Sequence, residues 1–401
     1  MTPRERWRAL FAGRKPDRVP CDYWGTAEVT GRLMRDLGCA TEAELWKRLS
    51  IDKCIHLAPR HPQATEDTWH MQSLFSIWQI GTANISYGDG LGVYEEAVVH
   101  PLAEARSVAD VERFPWPDAD DWDYASLRAQ CRKWPGYPIL AGTSEPFYLY
   151  SRLRGMERAL TDLVEAPEIA EAILDRIFQV DQSVFQRILD QVAGRIELVY
   201  IAEDLGTQES LLMSPRMFRQ FLKPRMKRLI DLAHSYGVQV MHHDDGAIRP
   251  LIPDLIEAGI DILNPLQWRC RGMDREGLAR DFGRALIFHG GIDNQQTLPF
   301  GTPEDVRRQV AENVRIFGDA KGYIVGPCHN IQAHTEAANI VAFYEAVHEF
   351  GAALGFRGDT TGTIERHYAK WTPARQARPD EALGLVHGTN LAQTEGVVAK
   401  C

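Results

Sequence analysis

An α/β fold, a (β/α)8 barrel of the TIM type, is what the sequence predicts, on three observations. Short apolar runs bounded by turn residues recur at 19–24, 53–59, 137–143, 196–201, 238–242, 261–266, 285–289 and 322–325. Helix-length amphipathic stretches separate the later runs, and such alternation reads as parallel strands joined by helices. Imidazole, carboxylate and thiol side chains gather where the runs end, the place where barrels of this kind keep their chemistry.

The elements follow in chain order. After the first two runs, residues 65–123 are long, turn-rich and aromatic, with Tyr87-Gly-Asp-Gly-Leu-Gly92 leading into a strand-like 93–99. This predicts an insertion with a hairpin over one end of the barrel. Helices are predicted over 167–192, 215–236, 249–258, 275–282, 303–317 and 335–354. Ser214-Pro215 and Thr302-Pro303-Glu304-Asp305 pair an N-cap residue with proline at the first helical position, and Gly237 and Gly259 fall where left-handed C-caps end helices. The barrel is expected to span residues 1–356. Residues 357–401, rich in Thr, Gly, Arg, Ala and Gln with little apolar periodicity, read as an irregular tail available to pack on another subunit of a homodimer.

With 44% hydrophobic and 25% charged residues there is material for a large core. A net charge of −10 argues against a nucleic-acid groove, which needs clustered Lys and Arg, and favours a small-molecule partner. The seven cysteines are scattered and without CxxC spacing, which suits a reducing, cytoplasmic setting. No apolar run is long enough for a membrane span, so no membrane partner is expected.

Candidate site residues come from the ends of the later runs: Glu203 and Asp204, His242 to Asp245, Asn264 and Gln267, His289 and Asp293, and Cys328 to Asn330. Strand alternation sends only one of His242 and His243 inward. His243 and Asp245 share a face, and with Cys328 they offer N, O and S ligands, the three-ligand arrangement of a catalytic zinc. The same residues also read as a polar network with Cys328 buried as a hydrophobe. Carboxylate catalysis is a second chemistry, with Asp204, Asp245 or Glu203 as acid or base and His289 or His329 as partner. Gly290-Gly291 before Asp293 lets backbone approach a ligand or merely makes a tight turn. Trp24 and Tyr148 are candidates for lining a pocket.

Several segments resemble the uroporphyrinogen decarboxylase-like superfamily, and its corrinoid-dependent methyltransferase branch more than its haem-pathway branch. They are Lys15-Pro-Asp-Arg-Val-Pro20, His243-Asp-Asp-Gly246, Asp261-Ile-Leu-Asn-Pro-Leu-Gln267, Gly290-Gly-Ile-Asp-Asn-Gln-Gln-Thr-Leu-Pro299, Gly301-Thr-Pro-Glu-Asp-Val306 and Gly322-Tyr-Ile-Val-Gly-Pro-Cys-His-Asn-Ile-Gln332. The resemblance runs from about residue 2 to 352 and implies a (β/α)8 barrel.

In the methyltransferase branch a His-x-Cys pair and a later Cys hold zinc, which implies His243, Asp245 and Cys328 here, with Asp245 in place of the first cysteine. Carboxylate oxygen suits zinc but not the capture of a thiol, so an oxygen-bound methyl donor is expected. The resemblance implies a zinc-dependent methyltransferase moving a methyl group between a small-molecule donor and a corrinoid (methylcobalamin) on a separate protein. Asp204, His289, His329 and Asn330 would act on the substrate, and Trp24, Tyr148, Glu203, Asn264, Gln267 and Asp293 would bind it. The haem-pathway pattern of arginines near the N-terminus is missing, although His329 matches a histidine of that pattern. A decarboxylase-like lyase and a non-catalytic small-molecule-binding barrel are the alternatives.

Overall fold

The computed structural model describes residues 1–63, 75–86 and 93–356, and the tail expected at 357–401 lies outside them. The strands are β1 (Ile55–Leu57), β2 (Gly81–Ser86), β3 (Val93–Val99), β4 (Ile139–Ser144), β5 (Leu198–Glu203), β6 (Gln239–Asp244), β7 (Ile262–Asn264), β8 (Ile287–Ile292) and β9 (Gly322–Pro327). Seven of them form one curled parallel sheet in the order β1-β4-β5-β6-β7-β8-β9. β2 and β3 pair antiparallel as the expected hairpin, whose turn, with residues 64–74, falls outside the described residues.

The run expected as the first strand, 19–24, forms no ladder. Pro20 has no N–H to give, and the segment makes single bridges instead, Cys21 to Val325 of β9 and Gly25 to Ile331. Asp22 N donates to Val325 O at 2.8 Å, and Asp52 N, just before β1, donates to Cys21 O at 2.9 Å. This segment therefore bonds to the edge strand β9 on one side and to the residues just before β1 on the other.

Alternation along the strands sorts the side chains into two layers. Leu198, Tyr200, Ala202, Met241, Ile262, Ile287 and Ile324 pack with Trp7 and Trp24 in an inner cluster. Their neighbours Val199, Ile201, Val240, Leu263, Phe288 and Val325 join the larger core under the helices. In the register, Tyr200 lies beside Met241 and Met241 beside Ile262, and two residues on Ala202 lies beside His243 and His243 beside Asn264. His243 therefore faces inward. His242 faces the helices, and its Nδ1 pairs with Ile201 O at 2.8 Å.

The helices Pro167–Val192, Arg275–Phe282 and Pro303–Phe317 have the expected bounds, and Thr302 with Asp305 completes a capping box. The helix expected over 215–236 is instead Pro215–Met217, a wider turn at Phe218–Leu222 and Lys223–Ser235. Pro224 cannot donate to the carbonyl of Gln220, and a wide turn absorbs the missing bond. The stretch 249–258 likewise splits, into a 3-10 turn, Arg249–Leu251, and the helix Ile252–Ala258. The last helix is Ala337–Phe356. Among the described residues no helix is long and apolar enough to cross a membrane.

On the long helix, Asp181 accepts from Ser144 Oγ at the end of β4, at 2.5 Å. Burial pushes its carboxyl up to about 7, and the Glu145 carboxylate adds to the rise against the Ser144 bond. The folded chain thus keeps a proton that the unfolded chain loses near pH 4, so this group's contribution is full below about pH 4 and lost as pH rises through about 7. Asp181→Asn, which stays neutral, is expected to lie within about 2 °C of the parent protein's melting temperature at pH 5. At pH 8 it should exceed it by roughly 5 °C in a calorimetric scan.

Candidate metal centre at the C-terminal edge of the sheet

β6 carries His243 to the C-terminal edge of the sheet, and the chain then turns at Asp245-Gly246. Gly246 has φ +92°, and its Cα packs directly on the backbone of Gly206, which follows β5. Gln267 Oε1 accepts from Gly246 N at 2.7 Å, and Thr207 O accepts from Ala247 N at 2.8 Å. This contact of backbone on backbone fixes where Asp245 projects. His243, Asp245 and His329, the last from just beyond β9, each offer a ligand atom within 4.8 Å of the others. Asp245 Oδ2 lies 3.9 Å from His243 Nε2 and 3.9 Å from His329 Nε2, and Asp204 Oδ1 lies 4.0 Å from His243 Nε2.

The expected third ligand, Cys328, is not in this group. Its thiol donates to Leu266 O at 3.0 Å, and burial holds its pKa well above that of an ordinary thiol. β9 ends at Pro327, so strand alternation no longer governs the residues after it. The group that could hold a metal ion here offers two imidazoles and a carboxylate.

The electrostatics favour a cation at this point. Burial disfavours a charged His243, but the carboxylates of Asp245 and Asp204 and the bond to Asn264 outweigh it and raise the pKa. Lost solvation and, next, the Asp245 carboxylate raise the Asp204 carboxyl, although more than half of its side chain reaches solvent. Oδ1 of Asp245 is buried and has no hydrogen-bond partner among the described residues. A buried carboxylate oxygen left without a donor is costly unless a cation meets it.

Beneath this cluster the side chains are tied to one another. His243 Nδ1 pairs with Asn264 Oδ1 at 2.5 Å, Asn264 Nδ2 with His289 Nδ1 at 2.6 Å, and His289 Nε2 with Asp22 Oδ2 at 3.1 Å. Trp24 stacks on His243, with ring centroids 5.8 Å apart and planes 19° apart, while its Nε1 donates to Asp22 Oδ2 at 2.9 Å. Burial works against the Asp22 carboxylate, yet Lys53 and His289 hold its pKa well below the usual range.

These contacts change several expected roles. His289 is fully buried with both ring nitrogens engaged, so it is placed to act through Asn264 and not on a substrate. Asn264 is likewise occupied on both sides. Glu203 points to the helix layer, where its carboxylate accepts from Phe147 N at 2.9 Å and Tyr148 N at 3.4 Å, at the start of the helix Pro146–Arg154. The Tyr148 ring packs between Phe75 and Arg152.

Asp293 accepts from Arg269 Nε at 2.5 Å and from Thr297 N at 2.9 Å, and so caps the turn after β8. The room left by Gly291 is filled by protein, since a Cβ there would meet the Tyr323 hydroxyl at 2.9 Å and Asn313 Nδ2 at 3.0 Å. Gln267 supports the Gly246 turn. The Asn330 carbonyl accepts from Gln332 Nε2 at 3.0 Å. Asp204, more than half exposed, and His329, 45% exposed, reach solvent further than Asp245 and His243 do.

Sequence reasoning passed over Tyr200, Glu145 and Asp22. The Tyr200 ring lies 5.7 Å from that of His243, and burial followed by Glu145, Asp204 and Asp245 keeps its phenol protonated. Glu145, at the end of the loop after β4, is pushed up to about 7 by burial. Tyr200 shares the alternation of Leu198 and Ala202 and could have been found from it. Glu145 and Asp22 carry no local pattern.

The family model for uroporphyrinogen decarboxylase (URO-D) matches residues 86–350. Curated relatives include the uroporphyrinogen decarboxylase of Pseudomonas syringae pv. tomato, 24% identical over 285 residues, covering 66% of this chain and 75% of that protein. The uroporphyrinogen decarboxylase of Pseudomonas aeruginosa gives the same identity and coverage. Among solved structures, a methyltransferase from Methanosarcina mazei shares the fold with a TM-score of 0.66 and 19% identity, covering 87% of this chain and 99% of that one.

Proposed function

The chain belongs to the uroporphyrinogen decarboxylase family, and from that premise we propose that it is a zinc-dependent methyltransferase. It moves a methyl group between an oxygen-bound small-molecule donor and a corrinoid carried by a separate protein. The observation that carries the reading is the convergence of His243, Asp245 and His329, whose ligand atoms lie within 4.8 Å of one another. Two imidazoles and a carboxylate are ligands zinc accepts, and three protein ligands leave a position for substrate. His243 Nε2, a carboxylate oxygen of Asp245 and His329 Nε2 would hold it. When bound, zinc supplies Lewis acidity that loosens the bond between a methyl group and its oxygen.

The remaining work falls to side chains. Asp204, at the rim with Oδ1 4.0 Å from His243 Nε2, is placed to exchange a proton with the departing oxygen. Trp24 and Tyr200 close the inner side of the site and keep water from it. Asp204 and Asp245 beside His243 make a poor seat for a tetrapyrrole with eight carboxylates, which calls for cationic partners. A carboxy-lyase that moves protons through Asp204 and His329 is the second reading, and the names of the curated relatives favour it.

The test incubates the zinc-loaded protein with aryl methyl ethers and free cob(I)alamin and follows methylcobalamin by its absorption spectrum. Methylcobalamin formed in the presence of zinc, with uroporphyrinogen left unchanged, is the expected result. Turnover of uroporphyrinogen, with no methylcobalamin from any ether, would replace this reading by the second.

A further inference from the structure

We propose that Asp22, Asn264 and His289 are positioning residues: a hydrogen-bonded relay through them holds His243 with its proton on Nδ1 and its Nε2 lone pair turned toward Asp245 and His329. The metal it serves rests on the function proposed above, but the relay itself does not.

The direction of each bond follows from its fixed end. Asp22 Oδ1 accepts from the backbone N–H groups of Tyr23 and Cys54, both at 2.9 Å, and Oδ2 accepts from the Trp24 indole at 2.9 Å. All three partners can only donate, so the carboxylate is an acceptor throughout. His289 Nε2, 3.1 Å from Oδ2, therefore donates. A neutral His289 then has a lone pair on Nδ1, and only the amide NH2 of Asn264 can fill it. That turns the amide oxygen of Asn264 toward His243, whose Nδ1 must donate.

The parts of the relay come from opposite ends of the chain. Asp22 sits on the irregular segment that bonds to the edge strand β9, 267 residues from His289. Trp24, donating to the same carboxylate and stacked on His243, restrains the ring from its face while Asn264 restrains its edge. A histidine ligand whose other nitrogen donates to a fixed acceptor is held in one tautomer and one orientation, and losing such a partner costs about 10–100-fold in metal affinity.

The test has two arms. In the metal-free protein at pH 9, with ring-15N histidine and the signals assigned through His243→Gln and His289→Gln, long-range 15N–1H spectra are expected to show the proton on Nδ1 of His243 and on Nε2 of His289. In the second arm, zinc affinity is measured by competition with a chromophoric chelator. Asn264→Leu, which severs both bonds, is expected to weaken it about 10–100-fold, and Asn264→Asp, which restores an acceptor for Nδ1, to recover it to within a few-fold.

A neutral His243 protonated on Nε2 overturns the relay, as does unchanged zinc affinity in Asn264→Leu. If the parent protein binds no zinc yet shows the expected tautomers, the relay stands and the metal reading fails.

Discussion

Replacing His243 by alanine is expected to abolish stoichiometric zinc binding, weakening it by about 10³-fold or more, and to remove methyl transfer with it. The residue is buried at the end of β6, and its Nε2 faces both Asp245 and Asp204. The same change leaves Asn264 Oδ1 without its donor and a hole beneath Trp24, so stability should fall by about 2–3 kcal/mol. His242→Ala provides the contrast. That ring lies between the sheet and the helices and holds Ile201 O, so its loss should lower stability while zinc remains bound. Calorimetric zinc titration and thermal melts of the two variants check both statements.

Gly246→Ala is expected to be among the most destabilising single changes, by about 3–5 kcal/mol in urea unfolding. Its φ of +92° disfavours any side chain, and an added Cβ would meet the Gly206 carbonyl carbon at 2.5 Å. Neither backbone can retreat, because Gln267 and Thr207 tie down the turn. A Cβ on Gly206 would meet Asp245 O at 2.3 Å, so Gly206→Ala should behave alike. The double variant should cost clearly less than the sum of the two, since both changes break the same contact. Fully additive losses would show that the contact is not shared.

Much of the scaffold was legible because it depends on local patterns. Seven of the eight apolar runs contain strands, and alternation sends only one of His242 and His243 inward, which the register shows to be His243. The eighth, at 19–24, was apolar enough to resemble a strand, but it contains Pro20 and makes only single bridges. The helix over 215–236 was visible from its cap and periodicity, whereas the wide turn before Pro224 was not.

The site was legible at the end of β6 and not after β9. His243 and Asp245 follow from spacing, but His329 in place of Cys328 depends on how the chain turns after Pro327. Asn264 and His289 stand at the ends of apolar runs, which points to a substrate role. Their ties to Asp22 depend on a contact that spans 267 residues and has no sequence period. Glu203 shows the opposite error: an acid at a strand end looks catalytic until the start of a neighbouring helix uses it as a cap.

Metal content, measured by elemental analysis on protein purified without a polyhistidine tag, tests the assignment of the centre most directly. One zinc per chain in the parent protein, kept in Cys328→Ser and lost in His329→Ala, is the predicted result. Zinc lost in Cys328→Ser but kept in His329→Ala, or no zinc in the parent protein after loading, would contradict it.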